Sequence, residues 1–338
     1  MKSKKTDFKI GNEIILPEER KKIFLKVASL FDYTELTIPI EVIRGKEDGP
    51  ILFVSAAIHG DELNGVEIIK RLLKNVSHKK IKGTLIAIPV VNVFGFNNKS
   101  RYLPDRKDLN RCFPGNINGS LGSRLAKIFM NEIVNKCTHG IDLHTGAIHR
   151  TNLPQIRACL EDEDTNHLAK CFGVPVVINS KLRDGSLREA ARKNKVTSLL
   201  FEGGEALRFE EEIIKTGLQG CLAVMREIGM LPKLAKENKK NKNINVAQGS
   251  YWVRAPHSGA FVAKKKIGSR VNTGDLLATI TDPFGCDPHH VYAKEEGIII
   301  GMSMIPLVNN GDAMVHIATF KNIRKVKEAI DDYDNELF

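Results

Sequence analysis

The sequence predicts an α/β protein with a mixed, largely parallel sheet flanked by helices, followed by a small all-β domain. Three observations lead to this prediction. Short apolar runs typical of buried strands recur between residues 51 and 202. Stretches with helical spacing separate them, and strands that alternate with helices indicate a parallel sheet. A repeated strand–turn–strand pattern then occupies the chain after about residue 246.

The individual elements follow from their residue patterns. The segments 23–30 and 35–45 are rich in β-branched and apolar residues and predict strands. ILFVSAAI (51–58) and TLIAIPVV (84–91) are apolar throughout, as expected of strands buried on both faces. Apolar residues at helical spacing predict a helix over 63–76. Further strands are predicted at 140–144, 156–160, 174–178 and 196–202, and further helices at 120–136 and 208–231.

The C-terminal region carries an internal repeat. The first copy contains Ala255 and VNTGDLLATI (271–280), and the second contains Ala293 and VNNGDAMVHI (308–317). Each alanine is followed four residues later by a glycine, and the copies are offset by 37 or 38 residues. Two strands joined by an Asn–x–Gly–Asp turn predict a small pseudo-symmetric β-structure. The predicted organisation is an α/β domain at 1–235, a linker at 236–250, the β domain at 251–322 and a C-terminal tail at 323–338.

Composition limits the classes of function. No run of eighteen apolar residues occurs, and no apolar segment follows the basic N-terminus, so we expect a cytosolic protein without a membrane span. The six cysteines form no CxxC pair, which argues against a thiolate zinc site. The net charge is +11, but the lysines of 233–243 have no interleaved aromatic residues. A solvated surface is therefore favoured over a nucleic-acid partner.

Polar side chains follow two of the predicted strands, at the position where open α/β folds form active sites. His59 and Glu62 come directly after the strand at 51–58, on a turn that enters a helix. His144 ends a later strand, and Asp142 lies two residues earlier on the same strand face. Two histidines and a carboxylate are good zinc ligands and leave one position open. Asp142 could accept a proton from a ligand histidine and fix its tautomer.

Two further segments carry candidate binding and catalytic side chains. The long loop RYLPDRKDLNRCFPG (101–115) offers arginine and asparagine side chains that suit a substrate carboxylate, although Asp–Arg pairing in an ordinary polar loop is an alternative. FEGGE (201–205) follows an apolar strand and offers Glu202 or Glu205 as a general base. The pattern alone does not separate these two glutamates.

Four segments together resemble the succinylglutamate desuccinylase/aspartoacylase family of the zinc carboxypeptidase superfamily. They are, in order, HGDELNG (59–65), RYLPDRKDLNRCFPG (101–115), DLHTG (142–146) and FEGGE (201–205). The resemblance covers roughly residues 40–320. It implies a zinc carboxypeptidase-like fold, one Zn²⁺ per chain, and a deacylase or desuccinylase that hydrolyses the amide bond of a small N-acyl amino acid or a related N-acylated amine.

The resemblance also implies roles for particular residues. The implied zinc ligands are His59, Glu62 and His144. Glu202 matches the catalytic glutamate, which takes a proton from the attacking water and returns it to the leaving amine. Arg101 matches the arginine that stabilises the oxyanion, and Arg106 is a rival because the spacing to Asn110 is longer here than in aspartoacylase. Asn110 and Arg111 match the pair that holds a substrate carboxylate.

The C-terminal repeat resembles the biotinyl/lipoyl-like barrel-sandwich domain that is often appended in this family. Carrier domains of that type present a modified lysine in the turn between their halves, whereas TDPFGCDPHHV (281–291) contains no lysine. A carrier role is therefore not expected, and covering the pocket or forming an oligomer is a more plausible role. His289 and His290, in this turn, are expected to be exposed rather than to bind metal.

Two other functions stay open at this level. A zinc carboxypeptidase acting on peptides would use the same core, although an appended β domain would narrow access to the site. A non-catalytic module for anionic partners would fit the positive charge and would need no zinc. The sequence does not identify the acyl group or the oligomeric state. Other divalent metals also accept the same ligands.

Overall fold

The computed structural model describes residues 8–234 and 245–337, with side chains described as far as residue 332. The predicted linker lies mostly outside these ranges, and its last residues, 245–250, take part in two strands. Within the described part, no helix is long and apolar enough to cross a membrane. The cytosolic location stays a prediction.

Strands and helices are numbered here in chain order within the described part. The strands are β1 (Phe8–Ile10), β2 (Glu13–Ile15), β3 (Arg20–Ser29), β4 (Glu35–Arg44), β5 (Ile51–Ala56), β6 (Thr84–Ile88), β7 (His139–Gly146), β8 (Arg150–Ala158), β9 (Val176–Asn179), β10 (Thr197–Glu205), β11 (Asn245–Ala247), β12 (Gly249–Arg254), β13 (Gly259–Ala263), β14 (Arg270–Val271), β15 (Leu276–Thr281), β16 (His289–Tyr292), β17 (Gly297–Ser303), β18 (Leu307–Val308) and β19 (Ala313–Thr319). The helices are α1 (Asn64–Asn75), α2 (Val93–Asn97), α3 (Leu121–Glu132), α4 (Glu163–Cys171), α5 (Leu187–Lys193), α6 (Glu211–Glu227) and α7 (Ile323–Leu337). Short 3₁₀ turns lie at Leu109–Arg111 and Val134–Lys136.

A mixed central sheet confirms the predicted α/β class. Its main path runs β12-β19-β17-β8-β10-β7-β5-β6-β4-β3. The four central strands, β10, β7, β5 and β6, are mutually parallel, whereas the outer strands on this path pair antiparallel. The parallel part is thus narrower than the sequence predicts. β8 begins at Arg150, directly after β7, and this connection is too short for a parallel crossover.

Helices cover both faces of this sheet. The helix predicted over 63–76 is α1, and it packs with α4 and α6 on one face, where Ile68, Leu168 and Val224 share one core. Helices α3 and α5 cover the other face through Phe129 and Ala190. Helix α3 begins where the Ser120 side chain accepts a hydrogen bond from the Ser123 backbone. The central parallel strands are therefore covered on both faces, as their apolar residues require.

The C-terminal strands pair in a repeated pattern. One set of four strands pairs in the order β12-β19-β17-β14, and a second set pairs in the order β16-β15-β13-β18. The two orders are the same once each strand is replaced by its counterpart in the other copy of the repeat. This pairing reproduces the repeat seen in the sequence, and apolar residues of both sets share one core. β17 also pairs with β8, so the first set continues the central sheet. The predicted tail forms α7, which buries Val326 and Ile330 against this region. The division into domains stays a prediction.

Candidate metal centre and active site

The candidate site residues meet at one edge of the central sheet. His59 and Glu62 lie in the turn between β5 and α1, His144 lies in β7, and Glu202 lies in β10. β7 runs parallel to both β5 and β10, and His144 is directly opposite Glu202. Because parallel strands end at the same edge, residues far apart in the chain become neighbours there.

The turn after β5 is fixed by its backbone. Ala57 adopts a φ of 50°, and its carbonyl accepts a hydrogen bond from the Asn92 backbone at 2.9 Å. Gly60 packs directly against Gly95, so that a Cβ at position 60 would come within 2.0 Å of the Gly95 carbonyl carbon. This close approach requires a glycine and holds the neighbouring His59 over the strand ends.

Three buried side chains direct ligand atoms at one another. Nδ1 of His59 lies 2.8 Å from Oε1 of Glu62, and Nδ1 of His144 lies 2.7 Å from Oε2 of the same carboxylate. Each of the three residues is at most 3 % exposed. Their ligand atoms all lie within 4.8 Å of one another. The predicted ligands His59, Glu62 and His144 are thus brought together.

The outer nitrogens of both histidines contact carboxylates. Nε2 of His144 lies 2.7 Å from Oδ2 of Asp142, whose other oxygen accepts a hydrogen bond from the Ser55 hydroxyl. Nε2 of His59 lies 3.0 Å from Oδ1 of Asp108. Since each Nε2–H can donate to a carboxylate, the lone pair of each neutral ring is left at Nδ1, facing Glu62. Asp142 therefore has the orienting contact that the sequence predicts.

This donor set fits a divalent cation. Two imidazole lone pairs and a carboxylate face one another in a buried position, and such an arrangement needs positive charge between them. Glu62, Asp108 and Asp142 carry three negative charges against the one positive charge of Arg101, which contacts both Glu62 and Asp108. Carboxylates therefore outnumber the guanidinium around the two histidines, which favours a bound cation. Nitrogen and oxygen ligands of this kind suit Zn²⁺.

The pKa values of these groups reflect the same charges. Burial alone would lower the pKa of His144, but Asp142 and Glu62 raise it well above its usual value. Burial would likewise raise the pKa of Glu62, but His59 and His144 lower it well below its usual value. Protons and a metal cation would therefore compete for the same lone pairs.

Glu202 is held beside this centre by two side chains of β8. Nδ2 of Asn152 donates to Oε2 of Glu202 at 2.7 Å, and Nε of Arg157 lies 3.5 Å from Oε1. Both Glu202 and His144 line the same cavity. The rival Glu205 is not part of that lining, and its carboxylate accepts a hydrogen bond from Arg208 instead. The geometry thus separates the two glutamates that the sequence pattern left equivalent.

The cavity over the candidate centre is lined by arginines. The arginines in the lining are Arg101, Arg111, Arg157, Arg183 and Arg188. Among the described lining residues, Glu202 is the only carboxylate. Burial and the neighbouring Arg157 lower the pKa of Arg188 to about 10. The hydrogen bonds described for Arg188 go to the Arg157 carbonyl and to the Ser180 hydroxyl, so none of them joins its guanidinium to a carboxylate, although the charges of Glu202 and Asp142 act on it.

Of the candidate residues in the loop 101–115, three line the cavity and one lies at the surface. Arg101, Asn110 and Arg111 line the cavity. The amide oxygen of Asn110 accepts a hydrogen bond from the Leu187 backbone at the start of α5, which fixes its orientation. Arg106 is exposed and lines a separate surface pocket. His289 and His290 are exposed as well, as the sequence predicts.

Sequence reasoning missed several residues of this cavity. The contact of Asp108 with His59 was not predicted, although Asp–Arg pairing in its loop was considered and does occur with Arg101. Asn152 and Arg157 were missed because nothing in their sequence shows that β8 lies beside β10. Arg183 and Arg188 were also missed. They follow β9, which pairs parallel to β8 and so runs antiparallel to β10, and the strand-end argument therefore does not point to them.

Sequence comparison shows which known proteins this chain is similar to. Residues 48–228 match the model of the succinylglutamate desuccinylase/aspartoacylase catalytic domain. The chain is 25% identical over 295 residues to N-alpha-acetyl-L-2,4-diaminobutyric acid deacetylase of Halomonas elongata, covering 83% of this chain and 85% of that protein. It is 26% identical over 192 residues to a succinylglutamate desuccinylase of Pseudomonas aeruginosa, covering 53% of this chain and 54% of that protein.

Solved structures share the fold at low identity. A succinylglutamate desuccinylase/aspartoacylase from Rhodobacter sphaeroides matches with a TM-score of 0.80 and 23% identity, over 89% of this chain and 96% of that one. The product-bound ectoine utilization protein EutE (DoeB) from Ruegeria pomeroyi matches with a TM-score of 0.81 and 24% identity, over 90% of this chain and 97% of that one.

The chain therefore has a zinc carboxypeptidase-like fold. Because the catalytic-domain model matches more than half of the chain, the chain belongs to the succinylglutamate desuccinylase/aspartoacylase family of deacylating hydrolases. The resemblance seen in the sequence is therefore confirmed at the level of the family.

Proposed function

We propose that this protein is a zinc-dependent hydrolase that cleaves the amide bond of a small, carboxylate-bearing N-acyl amino acid. One observation carries the proposal. The two histidines of a buried His–Glu–His centre line one cavity together with a fixed carboxylate, Glu202, and the other charged groups of that lining are arginines. Membership of a deacylase family supports the reaction class.

His59, Glu62 and His144 would hold the metal, one ion per chain. When bound, the metal would supply Lewis-acid polarisation of the scissile carbonyl and lower the pKa of a nearby water. Asp142 and Asp108 would keep the two imidazoles in the tautomer that binds metal. Other divalent metals accept the same ligands, so zinc is proposed from the donor types rather than from an observed ion.

Glu202 would act as the general base and then as the general acid. It faces His144 across neighbouring parallel strands, within reach of the same cavity. Asn152 donates a hydrogen bond to Oε2 of Glu202. The other oxygen, Oε1, has only the longer contact of 3.5 Å with Arg157. That oxygen would take the proton of the attacking water and return it to the leaving amine.

Arg101 would stabilise the oxyanion, in preference to Arg106. Arg101 lines the cavity and contacts the ligand Glu62, which places its guanidinium beside the centre where negative charge develops. Arg106 is exposed at a separate pocket. Asn110 and Arg111 would bind a carboxylate of the substrate, because an amide donor and a guanidinium side by side suit two carboxylate oxygens.

The remaining arginines support a substrate with a second acidic group. Arg183 and Arg188 line the cavity in addition to Asn110 and Arg111. A diamino acid would bring positive charge into this arginine-lined cavity, whereas an N-succinyl group or an acidic amino acid would bring a carboxylate that pairs with Arg188. An acidic N-acyl amino acid is therefore the preferred substrate class.

The C-terminal strands would form a barrel-sandwich unit that limits access to the cavity. Their two equivalent sets share one core, and β17 pairs with β8, the strand that carries Asn152 and Arg157. This arrangement supports a small-molecule substrate rather than a peptide several residues long.

Metal analysis and activity together test the proposed function. We expect about one zinc per chain at the His–Glu–His centre of wild type, and loss of that ion in His144→Ala. Glu202→Gln is the matched control, because it should keep the metal but lose hydrolysis of N-succinyl and N-acetyl amino acids. Full activity in Glu202→Gln, or wild-type activity that survives chelation, would refute the mechanism.

A further inference from the structure

A second group of potential metal ligands lies on the helical surface, away from the proposed active site. His167 and Cys171 are one turn apart on α4, and Glu227 is the last residue of α6. Nε2 of His167 lies 2.7 Å from Oε1 of Glu227 and 3.7 Å from Sγ of Cys171. One ligand atom from each of the three residues falls within 4.8 Å of the others.

The two helices hold these residues in a fixed relation. Leu168 of α4 and Val224 of α6 are buried in the same core. Gly220 packs against the ring of Phe172, and a Cβ at position 220 would come within 2.0 Å of that ring. Because the helices cannot separate or slide without opening this contact, the surface positions above it are preorganised.

The geometry suits a borderline metal ion. Zinc bonds of about 2.0 Å to nitrogen and about 2.3 Å to sulfur place tetrahedral nitrogen and sulfur ligands about 3.5 Å apart. The His167–Cys171 separation of 3.7 Å agrees with that value. Glu227 would have to move outward by roughly 0.6 Å to reach a tetrahedral position. The side chain of Glu227 is 35% exposed and that of His167 is 61% exposed, so both side chains border on solvent.

We propose that His167, Cys171 and Glu227 form a second metal site, specific for zinc or a similar thiophilic divalent ion. A thiolate with an imidazole selects such ions over magnesium or calcium, which prefer oxygen ligands. Three protein ligands leave a fourth position to solvent. A bound ion joins the end of α6 to α4, so the site adds to stability without touching the cavity over Glu202.

Sulfur makes this site distinguishable from the active site. The His59, Glu62 and His144 set contains no thiol, so thiolate-to-cobalt charge-transfer absorption reports only on a site with cysteine. The experiment titrates Co²⁺ into the metal-free full-length protein and follows this absorption, then displaces the cobalt with Zn²⁺. Cys171→Ser and His167→Ala are the test variants. Cys286→Ser is the control, since Cys286 is an exposed thiol elsewhere in the chain.

We expect the charge-transfer band in wild type, in Cys286→Ser and in the active-site variant His144→Ala. The band should disappear in Cys171→Ser, and the affinity should fall roughly tenfold or more in His167→Ala, because one of three ligands is lost. Deacylation should be unchanged in both test variants. Absence of the band in wild type, its persistence in Cys171→Ser, or equal affinity in His167→Ala would overturn the proposal. Persistence of the band in His144→Ala separates this site from the proposed active site.

Discussion

Replacing His316 with phenylalanine should remove an acid-dependent loss of stability. His316 lies in β19, is 4 % exposed and stacks on Trp252 with ring centroids 4.4 Å apart. Burial and the positive charge of Arg157 lower the pKa of His316 to about 3 from its ordinary value of 6.5. A neutral imidazole is therefore favoured in the folded chain. Phenylalanine keeps the ring stacked but has no proton to gain.

The size of the effect follows from the difference between the two pKa values. Because the unfolded chain binds a proton at His316 more readily than the folded chain, stability decreases as pH falls from about 6.5 towards about 3. One pKa unit corresponds to about 1.4 kcal/mol. The expected loss is about 2 kcal/mol at pH 5, rising to about 4 or 5 kcal/mol once the pH reaches the folded-state value.

Urea unfolding at pH 5, 6 and 8, followed by circular dichroism, measures this difference. The free energy of unfolding should fall more steeply with acid in wild type than in His316→Phe, with the gap between them changing by about 2 kcal/mol from pH 8 to pH 5. His290→Phe is a matched control, because His290 is exposed. An equal acid dependence in wild type and His316→Phe would refute the reasoning.

Further predictions concern the proposed active site. Asp142→Asn keeps the shape of the group beside His144 but removes its charge, so metal affinity measured by chelator competition should fall roughly 10- to 100-fold, and an unchanged affinity would contradict the orienting role. Asn152→Ala removes the 2.7 Å hydrogen bond to Glu202, so kcat should fall roughly tenfold with little change in KM, whereas a change in KM alone would count against it. Arg188→Gln should raise KM for an N-succinyl amino acid by roughly tenfold or more but leave an N-acetyl monoacid unaffected, and equal effects on both substrates would exclude a specific carboxylate contact.

The ligands of the candidate centre were predictable because their geometry is encoded locally. His59 and Glu62 follow the apolar strand β5 directly, and His144 lies near the carboxyl end of β7. Parallel strands bring such ends together whatever the length of chain between them. The strand pattern alone did not show which glutamate lies beside the centre, since Glu202 and Glu205 share one strand, and only the family resemblance pointed to Glu202. A bulge after Glu202, together with the donor from Asn152, distinguishes them.

In the C-terminal region, the sequence predicted the repeat but not how the repeat joins the central sheet. The repeat predicted two equivalent units, and the strand pairing follows that repeat. The pairing of β17 with β8 was not predictable, because it joins strands about 150 residues apart and depends on which sheet edge is left open. β8 itself was expected at 156–160 and begins at Arg150, since its first residues are polar and carry no strand pattern.

The distribution of charge around the candidate centre favours an enzyme over a binding module for anionic partners. Such a module was supported by the net charge of +11. Around the site, however, the charges are segregated. Carboxylates surround the two histidines, and arginines line the cavity above them. A surface that binds a phosphate backbone has no use for buried carboxylates, which oppose it electrostatically. The same carboxylates are required if a dication must be held beneath a carboxylate-bearing substrate. The carboxylates then neutralise the dication, and the arginines neutralise the carboxylate of the substrate.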